Sequence, residues 1–97
     1  MDRFGILVIL QAKPGKESEL AKFLQSARAL VLEETGTSAW FALQTGPSEF
    51  GIFDTFADED GRKAHLAGAV AKALFAKAPD LLAGQPQIRM ADILAMK

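Results

Sequence analysis

The sequence predicts an α+β fold in which a four-stranded antiparallel sheet carries two helices on one face, in the ferredoxin-like order β-α-β-β-α-β. Three observations carry this reading. Four segments have strand length and strand-like apolar patterning: Phe4–Gln11, Ser38–Thr45, Phe50–Ala57 and Gln87–Met96. Two longer stretches, Lys16–Glu34 and the one that follows Asp58, repeat their apolar residues at helical spacing. Turn-forming residues stand at the junctions. Residues 1–97 have the size of one domain, and no internal repeat or low-complexity segment divides them.

The first strand places Ile6, Val8 and Leu10 on one side and Leu7 and Ile9 on the other, because side chains alternate across a strand. Lys13-Pro14-Gly15 ends it and opens the first helix, whose stripe is Leu20, Phe23, Leu24, Ala27, Leu30 and Val31. Thr35-Gly36 is its expected stop. Glu33 and Glu34 then fall at the helix C-terminus, where the macrodipole disfavours negative charge. Nothing in the sequence accounts for them.

The second strand sets Trp40 and Ala42 opposite Phe41 and Leu43, and Gly46-Pro47-Ser48-Glu49 suits a hairpin loop. The third sets Phe50, Ile52 and Phe56 opposite Phe53. Asp58 caps the second helix, with Glu59 and Asp60 well placed in its first turn. Its stripe is Leu66, Val70, Ala73 and Leu74, interrupted by Gly68, and Phe75 projects nearly opposite. Either the helix breaks at Gly68 or Phe75 reaches a partner. Pro79–Pro86 reads as a connector, and Gln87–Met96 as the last strand, with Ala91 and Ile93 against Ile88, Met90 and Leu94.

Composition removes several function classes. Eleven basic and twelve acidic residues nearly cancel, with no Lys/Arg cluster, so neither nucleic acid nor a membrane surface is the expected partner. Cysteine is absent, which rules out disulfides, thiolate metal sites and a cysteine nucleophile and fits a reducing cytoplasm. The apolar run Ile6–Leu10 is too short to span a bilayer and leads into Gln11-Ala12-Lys13-Pro14-Gly15 rather than a cleavage site. A soluble, cytoplasmic protein is the expectation. The strands are apolar on both faces, yet two helices cover only one. A second copy of the sheet is the simplest cover for the other, so a homodimer with sheets packed face to face is expected.

Several residues then carry a resemblance. Ala12-Lys13-Pro14-Gly15-Lys16-Glu17 follows the first strand, and Glu34-Thr35-Gly36 precedes the second. Phe53-Asp54-Thr55-Phe56-Ala57-Asp58 is followed by Ala64-His65-Leu66. Over almost its whole length the chain resembles the antibiotic biosynthesis monooxygenase family, within the dimeric α+β barrel group. Asp54, Phe56 and His65 stand where that family has an acidic residue, an aromatic and the histidine of Ala-His-Leu. The resemblance implies a dimeric α+β barrel with a pocket in each subunit between helices and sheet. It also implies oxidation of phenols, quinols or anthrones by molecular oxygen without metal or flavin. The chain departs from the haem-degrading members, which have an asparagine roughly where Val8 stands and a tryptophan near His65. It also has no tyrosine of the kind some anthrone oxidases use.

The residues themselves supply candidate chemistry. His65, the only histidine, flanks the apolar stripe of its helix, and its ordinary pKa suits acid–base work near neutrality. It equally fits a half-buried residue bonded to a nearby strand or loop. Asp54 interrupts an apolar strand and needs a partner, for which His65 and Arg89 are available. A carboxylate that orients a histidine and a structural ion pair both fit. Trp40 is either an aromatic wall for a planar substrate or core. Arg89 and Asp92 lie on opposite faces of the last strand, one toward the pocket or the dimer seam. No G-x-G-x-x-G motif, P-loop, metal-ligand cluster or nucleophile elbow occurs, so no cofactor and no metal are expected.

The expected function is a cofactor-independent monooxygenase acting on a small aromatic quinol or phenol. His65 and Asp54 are its expected catalytic residues. Trp40, Phe56 and Arg89 are its expected substrate-binding residues, with Arg89 a stabiliser of the substrate anion. The alternatives are a non-catalytic dimer that binds a small ligand and a cofactor-free isomerase or dehydratase.

Overall fold

The computed structural model describes residues 1–97. Its elements are β1 (Phe4–Gln11), α1 (Glu17–Val31), β2 (Thr37–Gln44), β3 (Glu49–Phe56), α2 (Glu59–Leu66), α3 (Ala69–Leu81) and β4 (Gln87–Asp92). The strands form one open antiparallel sheet in the order β2-β3-β1-β4. This is the α+β, ferredoxin-like arrangement that the sequence predicts. None of the helices is long and apolar enough to cross a membrane.

The pleat sorts side chains as the alternation requires. Ile6, Val8 and Leu10 pair across the β1–β3 ladder with Asp54, Ile52 and Phe50, and all six are buried under the helices. Leu20 and Leu24 of α1 and Leu74 and Leu81 of α3 close over them. The other face carries Leu7, Ile9, Phe53, Phe41 and Leu43 with no layer above them, and Phe41 is 53% exposed.

β2 and β3 each begin and end one residue earlier than the sequence reading, and at four places the difference is larger than one residue. First, α1 stops at Val31, and Glu34 lies in the turn beyond it, with its N–H on the Val31 carbonyl at 2.9 Å. Second, the expected single second helix is two helices, broken at Ala67-Gly68. On a continuous helix His65 and Val70 would lie about 140° apart at 3.6 residues per turn. The break lets both face the interior, and both are buried. Phe75 is left 49% exposed on the outer side of α3. Third, α3 runs through Pro79 to Leu81, because a proline in the last turn sacrifices only one backbone bond. Fourth, β4 ends at Asp92 rather than Met96. The tail makes one further backbone bond, Ile93 N–H to the Arg3 carbonyl at 2.9 Å.

Two local devices seat α2 on the sheet. Asp58 caps its first turn, its Oδ1 accepting the Gly61 N–H at 2.8 Å. The buried Arg62 donates to the carbonyls of Gly5 and Ala91, both at 3.3 Å, pairs with Glu59 at 2.6 Å and lies 5.0 Å from the centre of the Phe4 ring. A side chain bonded to both β1 and β4 ties the helix to that end of the sheet.

Leu10→Ala, at a side chain with no exposure, should cost about 2–5 kcal/mol in urea unfolding. Leu94→Ala, at a tail position 93% exposed, should stay within about 0.5 kcal/mol of wild type in the same assay.

Candidate active site

One imidazole lies between two carboxylates at the end of the sheet where α2 crosses. β3 presents Asp54 on the helix-covered face, flanked across the ladders by Ile6 and Trp40. The Asp54 side chain is almost wholly excluded from solvent, and its Oδ2 lies 2.9 Å from His65 Nε2. That approach suits charge attraction but is not aligned as a hydrogen bond, so both Asp54 oxygens lack an aligned donor. On the other edge of the ring, His65 Nδ1 lies 2.6 Å from Oε1 of Glu34. Thr37 Oγ1 donates to the same oxygen at 2.6 Å. The Phe56 ring stands tilted beside the imidazole, with centroids 5.4 Å apart.

Local sequence explains each placement. The β2–β3 register shifts between Thr37, which pairs with Phe56, and Ala39, which pairs with Thr55. This bulge takes up Ser38 and puts Thr37 on the helix side, where strict alternation from Ala39 would turn it to the bare face. Glu34 reaches the ring because the helix has already ended before it. Sequence reasoning missed Glu34. The signal was there: an acidic pair at a helix terminus that repels negative charge.

The two contacts decide the charge of His65. Burial is the largest single influence and favours the neutral ring. Asp54 and Glu34 together outweigh it and hold the pKa above the ordinary 6.5. A neutral ring would also turn a lone pair toward one of the carboxylates. The two carboxylates therefore favour the imidazolium form of His65. Its two partners sit on opposite edges of the ring, so the three groups do not converge on a single ion position.

His65 and Glu34 border a cleft of about 310 Å³ whose walls include Leu30, Gly36, Thr37, Gly61, Ala64 and Gly68. Glu34 also borders an adjoining cleft of about 190 Å³ lined by Arg28, Val31, Ser38 and Trp40. Glu34 Oε2 and Trp40 Nε1 are buried without protein partners. Of the expected site residues, His65, Asp54 and Phe56 come together. Trp40 is next to Asp54 in the register and packs between Ala27, Val31 and Val70. Arg89 is not brought to them. It pairs with Leu7 on the bare face of the sheet, exposed, with Nη2 3.4 Å from Gln87 Oε1.

Comparison with solved structures places the molecule. Its fold is that of the antibiotic biosynthesis monooxygenases. A Nitrosomonas europaea protein assigned by name, without a demonstrated activity, to that group matches with a TM-score of 0.84 at 16% identity, over 95% of this chain and 99% of that one. A Caulobacter crescentus CB15 protein so named matches with a TM-score of 0.82 at 22% identity, over 97% and 92%. The chain belongs to the family of the NE2512 protein of Nitrosomonas europaea, a protein of unknown function. The two are 54% identical over 100% of this chain and 94% of that one, with a TM-score of 0.98. No protein-family model and no curated protein matches the chain.

The raised pKa of His65 makes stability depend on pH. A pKa higher in the folded than in the unfolded state adds stability that is full below the unfolded value and is lost as pH rises through the folded one. Urea unfolding at stepped pH should therefore show the His65 contribution present below 6.5 and falling above it. His65→Gln should flatten that segment of the curve.

Proposed function

We propose that this protein is a homodimeric, cofactor-independent monooxygenase acting on a small aromatic quinol or phenol. The carrying observation is the imidazole held between two carboxylates at a cleft wall, with Glu34 Oε2 unpartnered. The likeness in fold to structures named as monooxygenases supports the same reading. Both His65 nitrogens face carboxylates that favour its protonated form, so the proton acceptor in this reading is Glu34 rather than the imidazole. In this reading the substrate hydroxyl donates to the Glu34 carboxylate at the cleft wall, and the protonated form of the nearby imidazole favours the phenolate that results. Asp54 keeps His65 charged and oriented, and Phe56 holds the ring from the side.

The substrate supplies the electrons. The phenolate passes one electron to oxygen, and the radical pair combines at a ring carbon to form a C–O bond. Glu34 returns its proton to the peroxide. The ring hydrogen and the terminal hydroxyl then leave as water while the O–O bond breaks, giving a quinone. The balance is phenol plus O₂ to quinone plus water, with no external reductant.

A Clark electrode with a panel of hydroquinones and naphthols tests this. Oxygen consumption should equal quinone formed, and Glu34→Gln should lower the rate by about 10²–10⁴-fold while circular dichroism stays unchanged. A panel without oxygen uptake, or a wild-type rate in Glu34→Gln, would overturn the assignment.

The homodimer rests on the bare face of the sheet. Leu7, Ile9, Phe41, Leu43 and Phe53 form an apolar surface that a second sheet would cover at a spacing of about 10 Å. Sedimentation should show a dimer at micromolar concentration, and Phe41→Asp should shift it to monomer without unfolding it.

A further inference from the structure

We propose that Gly36 and Gly61 are positioning residues, whose backbone-to-backbone contact sets the distance between Glu34 and His65. Gly36 lies two residues beyond Glu34, in the turn before β2, and Gly61 lies one helical turn before His65 on the same side of α2. Left-handed backbone does not explain either glycine, since Gly15 alone has a positive φ. Close approach does. A Cβ on Gly36 would stand 2.8 Å from the Gly61 Cα, and a Cβ on Gly61 would stand 2.7 Å from the Gly36 carbonyl oxygen. Both obstacles are backbone, so no flexible side chain can yield.

Helix propensity alone favours alanine at 61, and the Asp58 cap would survive that change because it uses the backbone N–H. What the contact protects is proximity. Carbon atoms settle about 3.5–4.0 Å apart, so one added methyl must part the turn and the helix by roughly 1 Å. Glu34 Oε1 and His65 Nδ1, at 2.6 Å, would then exceed hydrogen-bond reach. Gly68 closes the third side, its Cβ position lying 3.4 Å from Glu34 Oε2. The groups that face His65 are Asp54 from β3 and Glu34 from the turn after α1. Only the second sits on the segment that the glycine contact holds. The functional meaning rests on the proposed role of Glu34, but the geometry can be read without turnover.

As the only histidine, His65 gives unambiguous imidazole resonances. Proton NMR titrations of wild type, Gly61→Ala, Gly36→Ala, Glu34→Gln and the double variant Gly61→Ala/Glu34→Gln test the contact. Gly84→Ala, where an added Cβ meets nothing within 4 Å, is the control. Each glycine variant should lower the His65 pKa through most of the interval between wild type and Glu34→Gln. The double variant should match Glu34→Gln, because a broken contact cannot be broken twice. A folded glycine variant with the wild-type pKa would overturn the proposal. So would an equal drop in the Glu34→Gln background. Loss of the fold in both glycine variants, with Gly84→Ala intact, would mark a general packing constraint and overturn it too. Absence of oxygen uptake in wild type would refute the oxygenase reading alone and leave the titration result standing.

Discussion

The charge on one imidazole governs this end of the molecule. Asp54 lies fully inside the fold, and a carboxylate there is tolerable only beside a cation. His65 is the basic group in contact with it, and its protonated form supplies that cation. His65 is itself desolvated, which disfavours its proton; the two flanking carboxylates more than offset this and raise its pKa. Asp54 and His65, both buried, are therefore each acceptable only in the presence of the other members of the cluster. Such interdependence makes the geometry strict, because removing one partner of a buried pair costs about 3–5 kcal/mol.

Much of the local irregularity serves this strictness. The bulge at Ser38 turns Thr37 toward Glu34. The break at Ala67-Gly68 frees α2 to face His65 inward while α3 buries Val70 and Leu74. Arg62, bonded to carbonyls of β1 and β4, holds α2 against the sheet one turn before the histidine. None of these departures from regular structure is isolated from the cluster. All lie within a few residues of Glu34, Asp54 or His65, as is common where a fold positions chemistry.

The pleat separates two surfaces along a single strand. In β3, Asp54 turns toward the imidazole, while Phe53 and Thr55 turn to the bare face. Arg89 shows the same sorting in β4: its register opposite Leu7 commits it to the bare face, away from the cleft. An arginine can pair with a buried carboxylate only from the same side of the sheet. Of the two partners named for Asp54, only His65 meets that condition.

Pattern alone determined the order of elements and the two apolar faces, because alternation and helical period are local properties of the chain; it offered His65 and Arg89 alike as partners for Asp54. Asp58 as a helix cap and Gly68 as a possible break were legible for the same reason. The tertiary structure decided the rest. Glu34 is thirty-one residues from His65 in sequence, and no local rule brings them together. Its place at an unfavourable helix end was visible, but the reason was a partner on another element. The role of Gly36 and Gly61 is invisible in sequence for a related reason: a glycine required by another backbone's approach looks like any glycine until the two backbones meet. Local periodicity specifies which way a side chain points. Only packing specifies what it meets, and here that distinction set His65 between two acids that favour its protonated form.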